Sequence, residues 1–134
     1  MIFSKKNVIF LLLVGLIGLS SCSKSSDDNS CIAPALSENI IGSWTTDYDP
    51  DSRAEFKTDG TLIDPNDIIF AGNINGLVLD LKTYSVTNQT VSIMATSSID
   101  NSIGSLGAEF VISSNECAEI KFPVLGITVT LTRI

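Results

Sequence analysis

Hydrophobic and polar residues alternate along most of the chain from Gly42 onward, and a period of two residues is typical of half-buried β-strands. Turn signals such as Asp49-Pro50-Asp51, Asp59-Gly60 and Asn88-Gln89 separate the alternating stretches. About eight short strands are predicted, at residues 42–48, 53–57, 61–63, 81–87, 90–96, 108–113, 117–122 and 126–134. Their number and spacing predict an all-β fold, a small antiparallel up-and-down barrel, with a β-sandwich as the alternative.

The same alternation predicts which side chains face the core. The inward candidates are Trp44, Thr46, Tyr48, Ala54, Phe56, Tyr84, Val86, Val91, Ile93, Phe110, Ile112, Ala118, Ile120, Phe122, Ile127, Val129 and Leu131. The pattern is least regular at residues 64–80, where a short helix at 66–71 and a loop over one mouth of the barrel both fit the turn residues. Ahead of the first strand, Ser37 is placed to cap a short helical turn.

The first 21 residues have the profile of a signal peptide, because Lys5 and Lys6 precede an apolar run at residues 8–19. Leu19-Ser20-Ser21-Cys22 resembles a bacterial lipobox, after which a peptidase cuts and Cys22 becomes the acylated first residue. An uncleaved N-terminal helix or a cut elsewhere is the alternative, although a membrane span needs about 20 apolar residues. The predicted organisation is a removed signal peptide at 1–21, a flexible acidic tether at 22–31 and a barrel domain at 32–134.

A lipid on Cys22 predicts a protein anchored to the outer membrane. Asp27-Asp28 in the tether resembles the signal that exports some Gram-negative lipoproteins to the cell surface, and a solvated linker is the alternative. Six basic and 15 acidic residues remain after the signal peptide, a net charge of −9. This charge argues against a nucleic-acid partner and against electrostatic adhesion to anionic headgroups. The acyl chains alone would therefore hold the protein at the membrane.

The sequence contains no histidine, which removes the usual general base at neutral pH and the commonest metal ligand. We therefore expect neither an enzyme nor a cofactor. Asp47, Asp49 and Asp51 resemble the start of a calcium loop, but Ser52 and Thr58 stand where such a loop needs glycine and glutamate. A solvated turn is favoured, and no metal site is expected.

Two further cysteines remain once Cys22 carries lipid. Cys31 and Cys117 form an even pair in an oxidising, exported setting, which predicts a disulfide, with two unrelated buried thiols as the alternative. Cys117 is predicted to point outward, so the bond would clip the segment before Gly42 onto the outer wall or rim of the barrel. Closing a loop of this length is worth roughly 4 kcal/mol.

Several short motifs occur in the order found in a known family. Ile41-Gly42-Ser43-Trp44 opens the first strand, a hairpin at 54–61 and a strand around Tyr84 follow, and Val129-Thr130-Leu131-Thr132-Arg133 closes the chain. Together they resemble the small lipocalin-like domains of bacterial lipoproteins. The resemblance implies that Trp44 plugs one end of the barrel and that Arg133 packs over it. The triplet Thr46-Asp47-Tyr48 begins two residues after Trp44 instead of standing late in the chain, so we carry nothing over from it.

Two functional hypotheses follow. The first is a binding module for a small apolar ligand or a glycan, with Phe56, Tyr84, Phe110 and Phe122 as candidate pocket residues that could equally be ordinary core. The alternative is a structural or interaction subunit with a filled barrel, which contacts an envelope partner protein through residues 64–80. An enclosed apolar void of roughly 300 Å³ or more favours the first, whereas a sealed interior with an exposed Ile68-Ile69-Phe70 patch favours the second.

Overall fold

The structure, a computed structural model, describes residues 31–99 and 104–134. Cys31–Ile134 form one compact unit. The predicted signal peptide, the lipidation residue Cys22 and the tether as far as Ser30 lie outside the described residues.

The described chain is built almost entirely of strands. A single turn of helix, α1 (Leu36–Asn39), precedes them. The strands are β1 (Gly42–Thr46), β2 (Ala54–Phe56), β3 (Thr61–Ile63), β4 (Asn73–Ile74), β5 (Leu77–Val78), β6 (Leu81–Thr87), β7 (Thr90–Thr96), β8 (Ser105–Val111), β9 (Ser114–Asn115), β10 (Glu119–Val124) and β11 (Ile127–Arg133). The prediction of an all-β fold is confirmed.

Nine strands form one antiparallel sheet in the order β8-β7-β6-β3-β2-β1-β11-β10-β9, and β4 and β5 form a separate hairpin. The last long strand pairs with the first, with Trp44 opposite Arg133, as an up-and-down arrangement requires. The sheet curls into a half-barrel around a single hydrophobic core.

The chain passes directly from β8 to β9, which are the two edge strands of the sheet. Val111 still pairs with Thr90 of β7, whereas Ser114 already pairs with Lys121 of β10, and the Ser113 amide donates to the Lys121 carbonyl oxygen (2.8 Å). Among the described residues, no backbone ladder joins β8 to β10 directly. Between these two strands the rings of Phe110 and Phe122 are in contact, with their centres 5.1 Å apart.

Most of the predicted inward residues form the core. Ten of them are buried: Trp44, Thr46, Ala54, Phe56, Val91, Ile93, Ile112, Ile120, Phe122 and Leu131. Four more, Tyr84, Val86, Phe110 and Val129, are partly buried and pack against this core. Fully burying an aliphatic or aromatic side chain is worth roughly 1.5–3 kcal/mol, so burial of these residues stabilises the curled form of the sheet.

Three inward predictions are wrong. Tyr48 is 60% exposed because β1 ends at Thr46 and the chain then leaves the sheet. Ala118 is exposed in the turn before β10, which begins two residues later than predicted. Ile127 is 70% exposed because it starts β11 at the tip of a hairpin, beyond the reach of the core.

Residues 64–80 contain no helix. The Asp64 carboxylate accepts hydrogen bonds from the backbone N–H groups of Ile68 (2.8 Å), Ile69 (3.1 Å) and Phe70 (2.9 Å). In a helix these N–H groups would bond to carbonyl oxygens four residues earlier. The carboxylate thus replaces the helical pattern, and the predicted helix at 66–71 is wrong. Residues 73–78, for which no strand was predicted, form the β4–β5 hairpin.

Helix α1 is present, but Ser37 does not cap it. The N-cap residue is Ala35, whose carbonyl oxygen accepts from the amides of Glu38 (2.9 Å) and Asn39 (2.8 Å) without any side-chain cap. Packing holds this turn in place, since Leu36 is buried. Within residues 31–99 and 104–134, no helix has the length and hydrophobicity that a membrane crossing requires.

Candidate functional site

One end of the barrel is sealed by Trp44. Its ring is fully buried, its indole nitrogen donates to the Ile40 carbonyl oxygen (2.7 Å), and the Arg133 guanidinium lies 4.3 Å from the ring centre. The same guanidinium donates to the carbonyl oxygens of Ile41 (3.1 Å) and Cys117 (3.1 Å) and to the Asn39 side chain and carbonyl oxygen. The contact of Arg133 with the buried Trp44 ring that the resemblance implied is present, and the role of Trp44 as a plug stays a prediction.

The Cys31–Cys117 disulfide is confirmed, with the two Cα atoms 6.0 Å apart. Cys117 lies in the turn between β9 and β10, so the bond fastens the N-terminal segment to the rim of the barrel, as predicted. Asn115 donates to the Pro34 carbonyl oxygen (2.9 Å), and Asn39 donates to Asn115 Oδ1 (2.7 Å). The clip therefore lies at the same end as the Trp44 plug, since Arg133 bonds to Cys117.

The centre of the barrel is filled. The void among its core side chains measures about 10 Å³, roughly the minimum that a single water needs. Phe56 and Tyr84 make an edge-to-face contact there, with ring centres 4.9 Å apart, and the Tyr84 hydroxyl donates to the Lys57 carbonyl oxygen (2.6 Å). Of the four candidate pocket residues, Phe56 and Tyr84 are thus core residues.

A cavity of about 460 Å³ lies outside this filled centre. Its lining is predominantly apolar and consists of Asp47, Tyr48, Ile68, Ile69, Phe70, Ala71, Phe110, Phe122, Val124, Leu125, Ile127, Thr128 and Val129. Phe110 and Phe122, whose rings are 5.1 Å apart, line both this cavity and the central void. These two candidate pocket residues therefore form the boundary between the filled core and the open space.

The loop 68–71 forms one wall of the cavity and is held from behind by a buried ion pair. Lys82 Nζ lies 3.0 Å from Asp64 Oδ2, and the two side chains are almost completely buried. The same ammonium donates to the Phe70 carbonyl oxygen (2.6 Å) and to Asp67 Oδ1 (2.6 Å). From the other side, the Tyr48 hydroxyl donates to the Ile68 carbonyl oxygen. Ile68 and Phe70 are consequently buried, and no exposed patch forms at this loop.

The rim of the cavity carries an exposed apolar hairpin tip. Val124 pairs with Ile127 across a two-residue turn in which Leu125 (φ 50°) and Gly126 (φ 84°) both have left-handed backbones. Asn or Gly usually occupies the first of these positions, because a larger side chain is strained there. Leu125 is also fully exposed. Folding stability alone does not account for a leucine at this position.

The cavity has an acidic side. Asp47 is the single charged residue among its lining residues, and its backbone N–H and Oδ1 both bond to Thr130 of β11, at 3.1 and 3.2 Å. Burial raises the pKa of Tyr48, and the negative charges of Asp64, Asp49 and Asp47 raise it further against a lowering hydrogen bond with Thr46. Tyr48 is therefore a protonated donor at neutral pH.

The acidic residues singled out in the sequence form no metal site in the part of the chain that the structure describes. Residues 31–99 and 104–134 contain no group of three or more Asp, Glu, Cys or His side chains placed to bind one ion. Asp49 instead belongs to a turn, with its amide bonded to Thr46 Oγ1 (3.2 Å) and its carbonyl oxygen to the Thr45 hydroxyl (3.0 Å).

Two features that shape the cavity were missed from the sequence, the buried Lys82 behind its wall and the hairpin tip at its rim. Lys82 shares the inward parity of Tyr84 and Val86, and this signal could have indicated a buried ammonium in need of carboxylate partners. The signal for the apolar hairpin tip is the stretch 122–132, which contains no charged residue and includes the Leu125-Gly126 turn.

Comparison of the chain with protein-family models, with curated proteins and with solved structures gave no significant match. The resemblance to lipocalin-like domains stays a prediction.

Proposed function

We propose that this chain is a lipid-anchored binding module for a small apolar ligand. The observation that carries the proposal is the apolar cavity of about 460 Å³ beside Phe110 and Phe122. Ligand pockets commonly measure about 300–1,000 Å³ and are lined mostly by apolar side chains with a few polar groups. The buried pair of Lys82 and Asp64 supports the proposal, because it fixes one wall of the cavity before any ligand arrives.

An apolar ligand fits this lining better than a glycan. The polar side chains at the cavity are those of Asp47, Tyr48 and Thr128. A sugar would need hydrogen-bond partners for many hydroxyl groups, and each group buried without a partner costs about 1–3 kcal/mol. An aliphatic or aromatic molecule has no hydroxyl groups that need hydrogen-bond partners.

The anchoring part of the proposal rests on the sequence. The lipobox ending at Cys22 supports an acylated first residue in the outer membrane, and Asp27-Asp28 supports exposure on the cell surface. We expect mass spectrometry of the exported protein to find Cys22 acylated at its N-terminus, and we expect Cys22→Ala to accumulate as an unprocessed precursor. An unmodified Cys22 within a longer chain would disprove the anchor.

The cavity can be tested by filling it. The chain from Ser23 to Ile134 contains the whole compact unit and can be titrated with the uncharged fluorophore N-phenylnaphthylamine. Val124→Trp places a large side chain in the cavity lining and should abolish binding, whereas Val111→Trp on the exposed side of β8 should leave it unchanged. Absence of binding to the unaltered chain, or equal binding by both variants, would contradict the proposal.

The exposed hairpin tip supports a second candidate, an interaction subunit that contacts an envelope partner protein. Leu125 is fully exposed and Ile127 is 70% exposed, although the barrel centre beneath them is filled. A photoreactive residue at position 125 should then cross-link one protein in intact cells, while the same residue at the exposed Val111 should not. Cross-links to many proteins from both positions would argue against this candidate.

A further inference from the structure

The acidic side of the cavity is fixed by the fold. Asp47 follows β1 directly, and its two hydrogen bonds to the Thr130 backbone hold it against β11. Asp49 adds to the negative potential at the neighbouring Tyr48 hydroxyl, whereas the charge of Asp64 is balanced by its ion pair with Lys82. A polar group of a bound molecule that reaches this side meets the Asp47 carboxylate, which is a hydrogen-bond acceptor.

No positive charge balances this side. The described residues include five basic and 12 acidic side chains, and none of the five basic residues lines the cavity. Lys82 is enclosed by the carboxylates of Asp64 and Asp67, and Arg133 lies over Trp44 at the sealed end of the barrel. Lys121 pairs with Glu119 at 3.0 Å.

The nature of the ligand follows from this imbalance. A carboxylate or phosphate bound here would give up part of its hydration, would find no cation and would be repelled by Asp47. A hydroxyl, an amide N–H or an ammonium group would instead find acceptors. The apolar lining of the cavity, whose volume is about 460 Å³, takes the remainder of the molecule.

We infer that the ligand of this cavity is an apolar molecule with an uncharged or positively charged polar end, and that the cavity discriminates against fatty-acid and other anionic amphiphiles. The inference rests on the proposed binding function and adds to it the chemical class of the ligand. Asp47 is the residue that sets the discrimination.

The test compares three molecules that share one ten-carbon chain. Decanol below its solubility limit, and decyltrimethylammonium and decanoate below their micelle concentrations, compete with N-phenylnaphthylamine for the unaltered Ser23–Ile134 chain. We expect decanol and decyltrimethylammonium to displace the fluorophore and decanoate to bind at least about tenfold more weakly than decanol. The comparison needs no variant, so a loss of folding cannot obscure it.

Two variants then assign the discrimination to Asp47. Asp47→Asn keeps a side-chain oxygen for the Thr130 amide and should reduce the difference between decanol and decanoate, and Asp47→Lys should reverse the order of decanoate and decyltrimethylammonium. Asp51→Lys makes the same charge change at an exposed residue outside the cavity lining and should leave the order as it is.

The outcomes separate the two proposals. If neither the fluorophore nor decanol binds, the binding function itself is wrong. If the fluorophore and decanol bind but decanoate binds as well or better, only the inference about the polar end is overturned. An unchanged order in Asp47→Lys, with thermal unfolding like that of the unaltered chain, would also overturn it.

Discussion

The Lys82 ammonium and the Asp64 carboxylate lie 3.0 Å apart, and both side chains are almost completely buried. Lys82 belongs to β6, whereas Asp64 directly follows β3, the strand that pairs with β6. The carboxylate also holds the amides of Ile68, Ile69 and Phe70. This single pair therefore fastens the cavity wall to the sheet.

Lys82→Met should destabilise the protein by about 3–5 kcal/mol, because it leaves the Asp64 carboxylate buried without its cation. It should also abolish binding of N-phenylnaphthylamine, since the loop 68–71 would lose its support. Urea unfolding measures the first effect and fluorophore titration the second. Lys121→Met, at a solvent-exposed pair with Glu119, is the matched control and should change neither. Similar stability of both variants would show that the buried pair does not fasten the loop.

Acid should weaken the attachment of the loop 68–71 to the sheet, because it protonates Asp67, which binds Lys82. Burial raises the pKa of Asp67, but hydrogen bonds from Lys82 and the Gly72 amide, with the charge of Lys82, outweigh it and lower the pKa below its ordinary value of 3.8. Such a group adds stability that is fully present above pH 3.8 and is lost as the pH falls through the lowered folded pKa.

Urea unfolding at neutral pH and near pH 3 should therefore show a smaller acid-induced loss in Asp67→Asn than in the unaltered chain. Asn tolerates the left-handed backbone at this position (φ 57°), so the variant changes mainly the titrating group. Asp51→Asn, at an exposed position in the turn before β2, is the control. An identical acid loss in the Asp67 variant and the unaltered chain would contradict the linkage.

Arg133→Ala should cost about 2–4 kcal/mol, because it removes the cation over Trp44 and several hydrogen bonds to backbone carbonyl oxygens. Trp44 is the only tryptophan, so its fluorescence should shift to longer wavelength as the indole is uncovered. Arg133→Lys should recover only part of the loss, because an ammonium cannot bond to all of these oxygens at once. Arg53→Ala, at an exposed arginine, should leave the emission unchanged.

Replacing Cys31 and Cys117 by serine should lower stability by roughly 4 kcal/mol. The sequence predicted that the disulfide fastens the whole segment before Gly42. The structure restricts the loosening to residues 31–35, because Leu36 and Ile40 are buried. Hydrogen exchange of the reduced protein should thus accelerate ahead of α1 and stay slow in α1 and the strands. Fast exchange throughout 31–41 would contradict this restriction.

Leu125→Asn should stabilise the protein by about 0.5–1 kcal/mol, because Asn adopts the left-handed backbone more readily than Leu. The matched control is Ile127→Asn, which also removes an exposed apolar side chain from the rim but lies on a strand, where Asn is unfavourable. The control should be neutral or destabilising. Equal effects of both variants in thermal unfolding would show that Leu125 is not strained.

Local chemistry determined much of this fold. The alternation at residues 81–96 fixed the hairpin of β6 and β7 with its turn at Asn88-Gln89, because side-chain period and turn geometry act over a few residues. The same alternation placed Trp44 and Leu131 inside. The even number of cysteines left after Cys22 was enough to pair Cys31 with Cys117, because only one pairing existed.

The extent of burial along a strand was decided by tertiary structure. Ile127 and Leu131 have the same parity in β11, yet one is exposed and the other buried. Alternation specifies the face of a strand on which a side chain lies, but not how far along that strand the opposite wall reaches. The sealed and open ends of the barrel follow from pairings between residues as distant as Trp44 and Arg133.

The cavity depended most on tertiary structure. Sequence reasoning named Phe110 and Phe122 but also Phe56 and Tyr84, because all four are aromatic residues of inward parity. Two of them border open space only because the loop after β3 turns back on the Asp64 carboxylate and is held there by Lys82, 18 residues later. The parity of Lys82 indicates a buried ammonium, but periodicity does not identify its partner, since the two charges meet only when the strands that carry them have paired.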